Sequence, residues 1–181
     1  MKKMYKISIA IICFCFVTCS SSWTEDIDKN AAKIEKKGEL LNQHEEVENQ
    51  DRYFKTKLYG SEDFVILKTE YKHDSLMQTK SEFFAKDSAI FRYRDKGLIA
   101  VMSPKVDGNY AQIYEHIYYF EDRKNGILKK REIEIASYSE YDEALKKLQN
   151  LTFITTMITP KDLEKATGEY QLLAEKLKVI K

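Results

Sequence analysis

From residue 52 onward, apolar and polar side chains alternate with a period of two. In residues 52–59, Phe54, Thr56 and Leu58 fall on one side and Tyr53, Lys55 and Lys57 on the other, the mark of a half-buried strand. Gly60-Ser61-Glu62-Asp63 reads as a turn. Residues 64–72 repeat the alternation, with Val65, Leu67, Thr69 and Tyr71 sharing a face. His73-Asp74-Ser75 turns into a third strand, 76–85, and Lys86-Asp87-Ser88 into a fourth, 89–94. A fifth, 98–103, is ended by Pro104. After an Asp107-Gly108-Asn109 loop comes the longest strand, 110–120. Asn125-Gly126, the strongest hairpin signal in the chain, leads back through 127–136. Turns this short cannot connect parallel strands, which need a long crossover. The pattern predicts an antiparallel meander.

Helical spacing flanks this region. Ser22-Trp23-Thr24-Glu25 has the spacing of a capping box. Ile27, Ala31, Ile34 and Leu41 then follow at intervals of 4, 3 and 7, which predicts a charged amphipathic helix over 24–50 with one narrow apolar stripe. After Ser137, the residues Tyr141, Ala144, Leu145, Leu148 and Leu151 share a stripe. Residues 151–158 are apolar and β-branched, and read either as the end of that helix or as a short added strand. Thr159-Pro160 starts a last helix, with a Thr cap and Pro at the first position. Its face is Leu163, Ala166, Tyr170, Leu173, Leu177 and Ile180. The whole predicts a single α+β domain over 51–181. Its meander is packed by helices on one side, which leaves the other side open to water.

The first twenty-two residues do not belong to that pattern. Lys2, Lys3 and Lys6 precede an uncharged apolar run of eleven residues, Ile7 to Val17, then Cys19 and Ser20-Ser21-Ser22. A membrane-spanning helix needs about 20 apolar residues. The run instead suits a secretory signal peptide over 1–18, followed by a tether over 19–23. Phe16-Val17-Thr18-Cys19 resembles a bacterial lipobox, although Phe16 and Thr18 depart from the usual Leu and small residue. The resemblance implies lipidation of Cys19 on its sulfur and amine, and acyl chains anchor at roughly 0.8 kcal/mol per buried methylene. Ser20 in the following position resembles the outer-membrane-sorted type. The alternatives are ordinary secretion with cleavage near Ser20 to Ser22, or an uncleaved anchor.

Cys13, Cys15 and Cys19 are the only cysteines. The rest of the chain therefore offers no disulfide, thiol nucleophile or thiolate metal ligand. Residues 1–19 hold three lysines and no acid. Of the 30 basic residues 27 remain, against 29 acidic, a net of −2. That is no nucleic-acid footprint.

Several letter patterns invite a catalytic or metal reading and fail on geometry. His73-Asp74-Ser75 sits on a tight turn, where neighbouring side chains diverge and a triad cannot form. Asp26-x-Asp28-x-Asn30 opens like a calcium loop, but Ala31 replaces the required glycine and Lys37 the bidentate glutamate. His44, His73 and His116 are isolated, and no glycine-rich phosphate loop is present, so no cofactor is predicted. Three hypotheses remain. In the favoured one, Tyr114, His116, Tyr118 and Phe120 share the outward face of the long strand and bind a partner without chemistry, while Ala111, Ile113, Ile117 and Tyr119 face the core, with Glu115 the charged exception. Alternatively that row is covered by the amino-terminal helix or by the loop after Pro104. In the second hypothesis Glu82, His116 and Glu132 converge across neighbouring strands into an acid–base site. A purely structural envelope component is a third reading.

Two hairpins look alike: residues 81–93, around Phe83-Phe84 and Ile90-Phe91, and residues 116–128, around Tyr118-Tyr119-Phe120 and Gly126-Ile127-Leu128. Each carries an aromatic pair, a polar turn and an aliphatic restart. This resembles a group of uncharacterised Gram-negative envelope lipoproteins with repeated aromatic β-hairpins. The resemblance implies an α+β lipoprotein with no established activity and supplies no catalytic residues; the lipid anchor and the binding hypothesis together give the expectation of an envelope-protein partner at the outer membrane.

Overall fold

A computed structural model describes residues 23–60, 63–74, 77–87, 89–102, 109–122 and 125–177. The leader, Cys19 and Ser20 to Ser22 of its tether, residues 103–108, and Ile180 lie outside the described residues. The chain divides into two compact units, Met1–Lys36 and Lys37–Lys181. The described part of the first is a helix, α1 (23–37). No helix among the described residues is long and apolar enough to cross a membrane.

The second unit is one eight-stranded antiparallel sheet in unbroken meander order: β1 (Glu39–Asn49), β2 (Arg52–Gly60), β3 (Val65–His73), β4 (Met77–Lys86), β5 (Ala89–Met102), β6 (Asn109–Phe120), β7 (Gly126–Ile135) and β8 (Ile154–Met157). Two helices interrupt or follow it, α2 (Tyr141–Asn150) and α3 (Pro160–Lys176). The expected α+β meander is therefore what the chain builds.

Three details differ from expectation. The helix predicted over 24–50 ends at residue 37. Gly38 breaks it, and β1 follows, paired with β2 from Glu39↔Gly60 to Asn49↔Arg52. Tertiary pairing overrides the helical propensity of its Leu, Gln and Glu residues. The fourth and fifth predicted strands are one, β5. Gly97 lies in its middle, where a Cβ would come within 2.2 Å of the Gln78 carbonyl oxygen. Only glycine permits that close approach, so the apparent break is a continuous strand. Third, helices cover both sides of the sheet.

Register shows how. One face, here called the α3 face, carries a continuous apolar row: Leu58, Leu67, Phe83, Tyr93, Tyr118 and Leu128 are successive cross-strand partners. Over it lie Ala166, Tyr170, Leu173 and Leu177 of the last helical segment. Phe83 and Tyr93 are stacked at 4.3 Å between ring centroids, and Tyr93 and Tyr118 at 5.1 Å. α3 begins with a complete capping box, in which the Thr159 side chain accepts from the Asp162 amide and the Asp162 carboxylate accepts from the Thr159 amide. On the opposite face, the α2 face, Ala144 and Leu148 pack on Leu98, Ile113 and Ile135. The turn predicted at His73-Asp74 is present. Asp74 adopts a left-handed φ of 54°, and Arg52 donates to both of its carboxylate oxygens, at 2.9 and 3.1 Å.

Candidate functional site

Of the row expected to face solvent, Tyr114, Tyr118 and Phe120 are 5–7 % exposed. The expectation fails because the Tyr/His/Tyr/Phe side of β6 lies on the α3 face, with Tyr118 and Phe120 in the core beneath α3. The aliphatic side is buried too, Ile113 under α2. Neither the amino-terminal helix nor the residues after Pro104 are needed to account for the cover that α3 provides. Burial lifts the Tyr118 hydroxyl to about 12, and it drives the Tyr93 and Tyr114 hydroxyls higher still.

Beside the apolar row runs a polar one. His44, Thr56, Thr69, Ser81, Asp95, His116 and Lys130 are successive cross-strand partners on the α3 face. Its centre is Asp95, 8 % exposed. Asp95 accepts from the Ser81 hydroxyl at 3.1 Å and from the Tyr114 hydroxyl at 3.3 Å. Burial pushes its carboxyl up, against those two hydrogen bonds and the positive charge of Lys165. Above it, Glu169 of α3 accepts from the Tyr93 hydroxyl at 3.1 Å. Burial, and then the charge of Asp95, raise Glu169 as well.

His116 Nε2 lies 2.6 Å from Glu132 Oε1, so two of the three residues of the acid–base hypothesis do meet. Glu82 does not join them, because it pairs with Arg94 in register and belongs to the α2 face. Ser81 is bonded to Asp95 and not to His116, so nucleophile and base are not linked. Among the described residues no group of three His, Cys, Asp or Glu side chains is arranged to hold a metal.

The α2 face between β2 and β5 is chemically different. Strand alternation sends Lys55 and Lys57 of β2, Lys68 and Lys72 of β3, Lys80 of β4, and Arg92, Arg94 and Lys96 of β5 to that one side. On those four strands only Glu70 and Glu82 oppose them there. Several pair within the sheet: Lys80 with Glu70 at 3.0 Å, Lys68 with Glu82 at 3.5 Å, and Lys55 with Glu45 of β1 at 2.6 Å. The side chains remain part-exposed, Lys80 at 47 % and Lys68 at 29 %. Lys57 is exposed, and neither it nor Lys96 has an ion-pair partner among the described residues. Lys55 lies over the Tyr53 ring at 5.0 Å and Lys68 over Tyr59 at 5.8 Å. A hollow of about 250 Å³ opens between Lys55, Lys57, Lys68 and Lys80.

Towards β6 the same face closes into structure. Glu115, 4 % exposed, is clamped between Arg94 and Arg131, whose Nε atoms each donate at 2.8 Å. Arg131 also donates to the Gln149 and Leu151 carbonyls and lies over Phe153, fastening the end of α2. Burial opposes the charge of Glu115, yet the hydrogen bonds from Arg131 and Arg94 prevail and hold its carboxyl below the usual range.

The basic face was missed from the sequence although part of its signal is there: Lys or Arg at every second position in 55–57 and 92–96, with Lys68, Lys72 and Lys80 on the two strands between. No protein-family model, curated protein or solved structure matches the chain.

Proposed function

We propose that the chain is a membrane-tethered envelope protein, anchored by lipid on Cys19, that binds a partner through its sheet without catalysing a reaction. The observation supporting the binding surface is the basic α2 face of β2 to β5. It gathers the cations of the strand interiors on one side of a chain whose remaining charge, leader excluded, is net acidic. Such segregation costs solvation and self-repulsion energy, and a complementary anionic surface relieves that cost. The aromatic row of β6 no longer serves as the surface, since it is core.

The test has two arms. Incorporation of labelled palmitate, and its loss together with membrane fractionation in Cys19→Ser, checks the anchor. Cross-linking in intact envelopes, comparing wild type with Lys57→Gln/Lys96→Gln, checks the surface. Unchanged fractionation defeats the first part and an unchanged cross-linking pattern the second.

A second reading has its own observation. The His116–Glu132 pair at 2.6 Å, one cross-strand step from Asp95, is the geometry of an acid–base dyad beside a raised carboxylate. Hydrolase screening of wild type against His116→Gln decides it, because a dyad loses its activity whereas a structural pair changes only stability.

A further inference from the structure

We propose that the basic α2 face docks on the anionic phosphate headgroups of a lipid bilayer, giving the domain a second, electrostatic membrane contact. The inference deepens the binding-module reading above, on which it rests, by committing that face to one partner.

Three features favour a bilayer over a soluble ligand. The first is shape. A small-molecule site gathers its polar groups around one cavity, whereas the cations here are spread over four adjacent strands, and Lys72, Arg92, Arg94 and Lys96 lie outside the hollow that the others line. At about 4.8 Å between strands that array extends roughly 15 Å across the sheet, which suits a planar array of charges. The second is composition. Lys55 and Lys68 rest on the Tyr53 and Tyr59 rings, so ammonium groups and amphipathic aromatics sit together. Tyrosine is enriched at headgroup level for its apolar body and polar tip. The third is reach. Between Cys19 and the start of β1 lie one helix of 15 residues and a few linking residues, which hold the domain within roughly 40 Å of any bilayer that carries the anchor. Basic residues near an anionic surface attract it strongly enough for two of them to change partitioning more than tenfold. An acyl anchor combined with a polybasic patch is a recognised two-signal arrangement.

The experiment uses full-length protein, lipidated and as Cys19→Ser, sedimented with vesicles of phosphatidylcholine alone or with about one-third phosphatidylglycerol. The expected result is that Cys19→Ser still binds the anionic vesicles and not the neutral ones. That binding weakens at least about fivefold as salt is raised from low to above physiological strength. Lys57→Gln/Lys96→Gln lowers it about tenfold or more. Lys161→Gln/Lys165→Gln, which removes the same charge from exposed positions of α3, over the other face, leaves it unchanged. Both double variants are matched by circular dichroism and melting temperature, so a folding defect is visible as such. Equal binding to both vesicle types, equal loss in the two double variants, or displacement by millimolar inorganic phosphate as complete as by salt would overturn the proposal. Because the binding arm uses Cys19→Ser, failure of the anchor leaves the headgroup result standing and failure of the headgroup contact leaves the anchor result standing.

Discussion

The two faces of this sheet dispose of polar residues in opposite ways. On the α3 face a polar row crosses the sheet beside the apolar core row, and the last helix covers its centre: Ser81 and Tyr114 both donate to Asp95, and Tyr93 donates to Glu169. On the α2 face, charged side chains dominate the middle of β2 to β5: the lysines stay part-exposed, paired across strands or, at Lys57 and Lys96, without an ion pair among the described residues, while Arg92 is buried. Buried polar groups must be satisfied in place, so the first arrangement is constrained by its own hydrogen bonds. Exposed cations are satisfied by water, so the second can be rearranged by an outside charge at small cost. Between β2 and β5, stability therefore concentrates on the α3 side and freedom to interact on the α2 side, which becomes structural again only at the Glu115 clamp and under α2.

The largest break in that contrast comes from Phe83→Ala. Phe83 is fully buried, stacked on Tyr93 and tilted against Tyr170. Its truncation is expected to cost about 3–5 kcal/mol in chemical denaturation, enough to unfold a marginal domain.

Glu115→Ala comes next, at about 3 kcal/mol, because it leaves Arg94 and Arg131 without the carboxylate they share. Glu115→Gln tests the electrostatic part separately. The folded carboxyl lies below its ordinary value of 4.5, so its stabilisation is fully present above that value and disappears as pH falls through the lowered one. In acid titration wild type loses this contribution, and Glu115→Gln, which never had it, approaches wild-type stability. If their difference stays constant from pH 6 down to pH 3, the clamp is not what holds Glu115.

The architecture was legible because the strand signals are local. Short turns compel antiparallel order, and Asn125-Gly126 marks its hairpin directly. The division of labour between faces was not, for two physical reasons. A strand in a sheet covered on both sides has no single inward face, so comparing the aliphatic and aromatic sides of β6 could not decide which was exposed. Ile113 and Tyr118 are both core, under different helices. Likewise β1 is an edge strand whose Leu40, Leu41 and Val47 are more than half exposed, so its alternation carries little apolar contrast and its composition mimics a helix. Glu115 was the readable clue. A carboxylate alone on an otherwise apolar side predicts cationic partners on the neighbouring strands: Arg131 is its cross-strand partner in register, and Arg94 reaches it diagonally from beside the register partner Lys96.

A smaller effect, of opposite pH sense, belongs to the α3 face. Asp95 and Glu169 are both raised, first by burial. A raised folded value means that the stability associated with the protonated form is complete below the unfolded value and declines as pH rises through the folded one. Asp95→Asn removes the titrating charge while keeping an acceptor for Ser81 or Tyr114. It is expected to match wild type near pH 4 and to exceed it by about 1 kcal/mol at pH 8, a rise of roughly 2–4 °C in melting temperature. A variant that loses stability equally at both pH values would show that the hydrogen bonds, and not the charge, dominate the site.

The smallest expected change in stability is the most informative about function. Lys57 is exposed on the α2 face with no ion-pair partner among the described residues, and its cross-strand neighbour is another cation, Lys68. Removing its charge takes away a repulsion and no contact, so Lys57→Gln should change stability by less than about 0.5 kcal/mol in either direction. A residue kept for folding would not behave this way. If the basic face serves an anionic partner, the same substitution weakens that association while the denaturation curve stays in place, and the weakening shrinks as salt screens the attraction. A Lys57→Gln protein that is clearly destabilised would place Lys57 among the structural residues, and the separation of roles between the two faces would fail at its most exposed point.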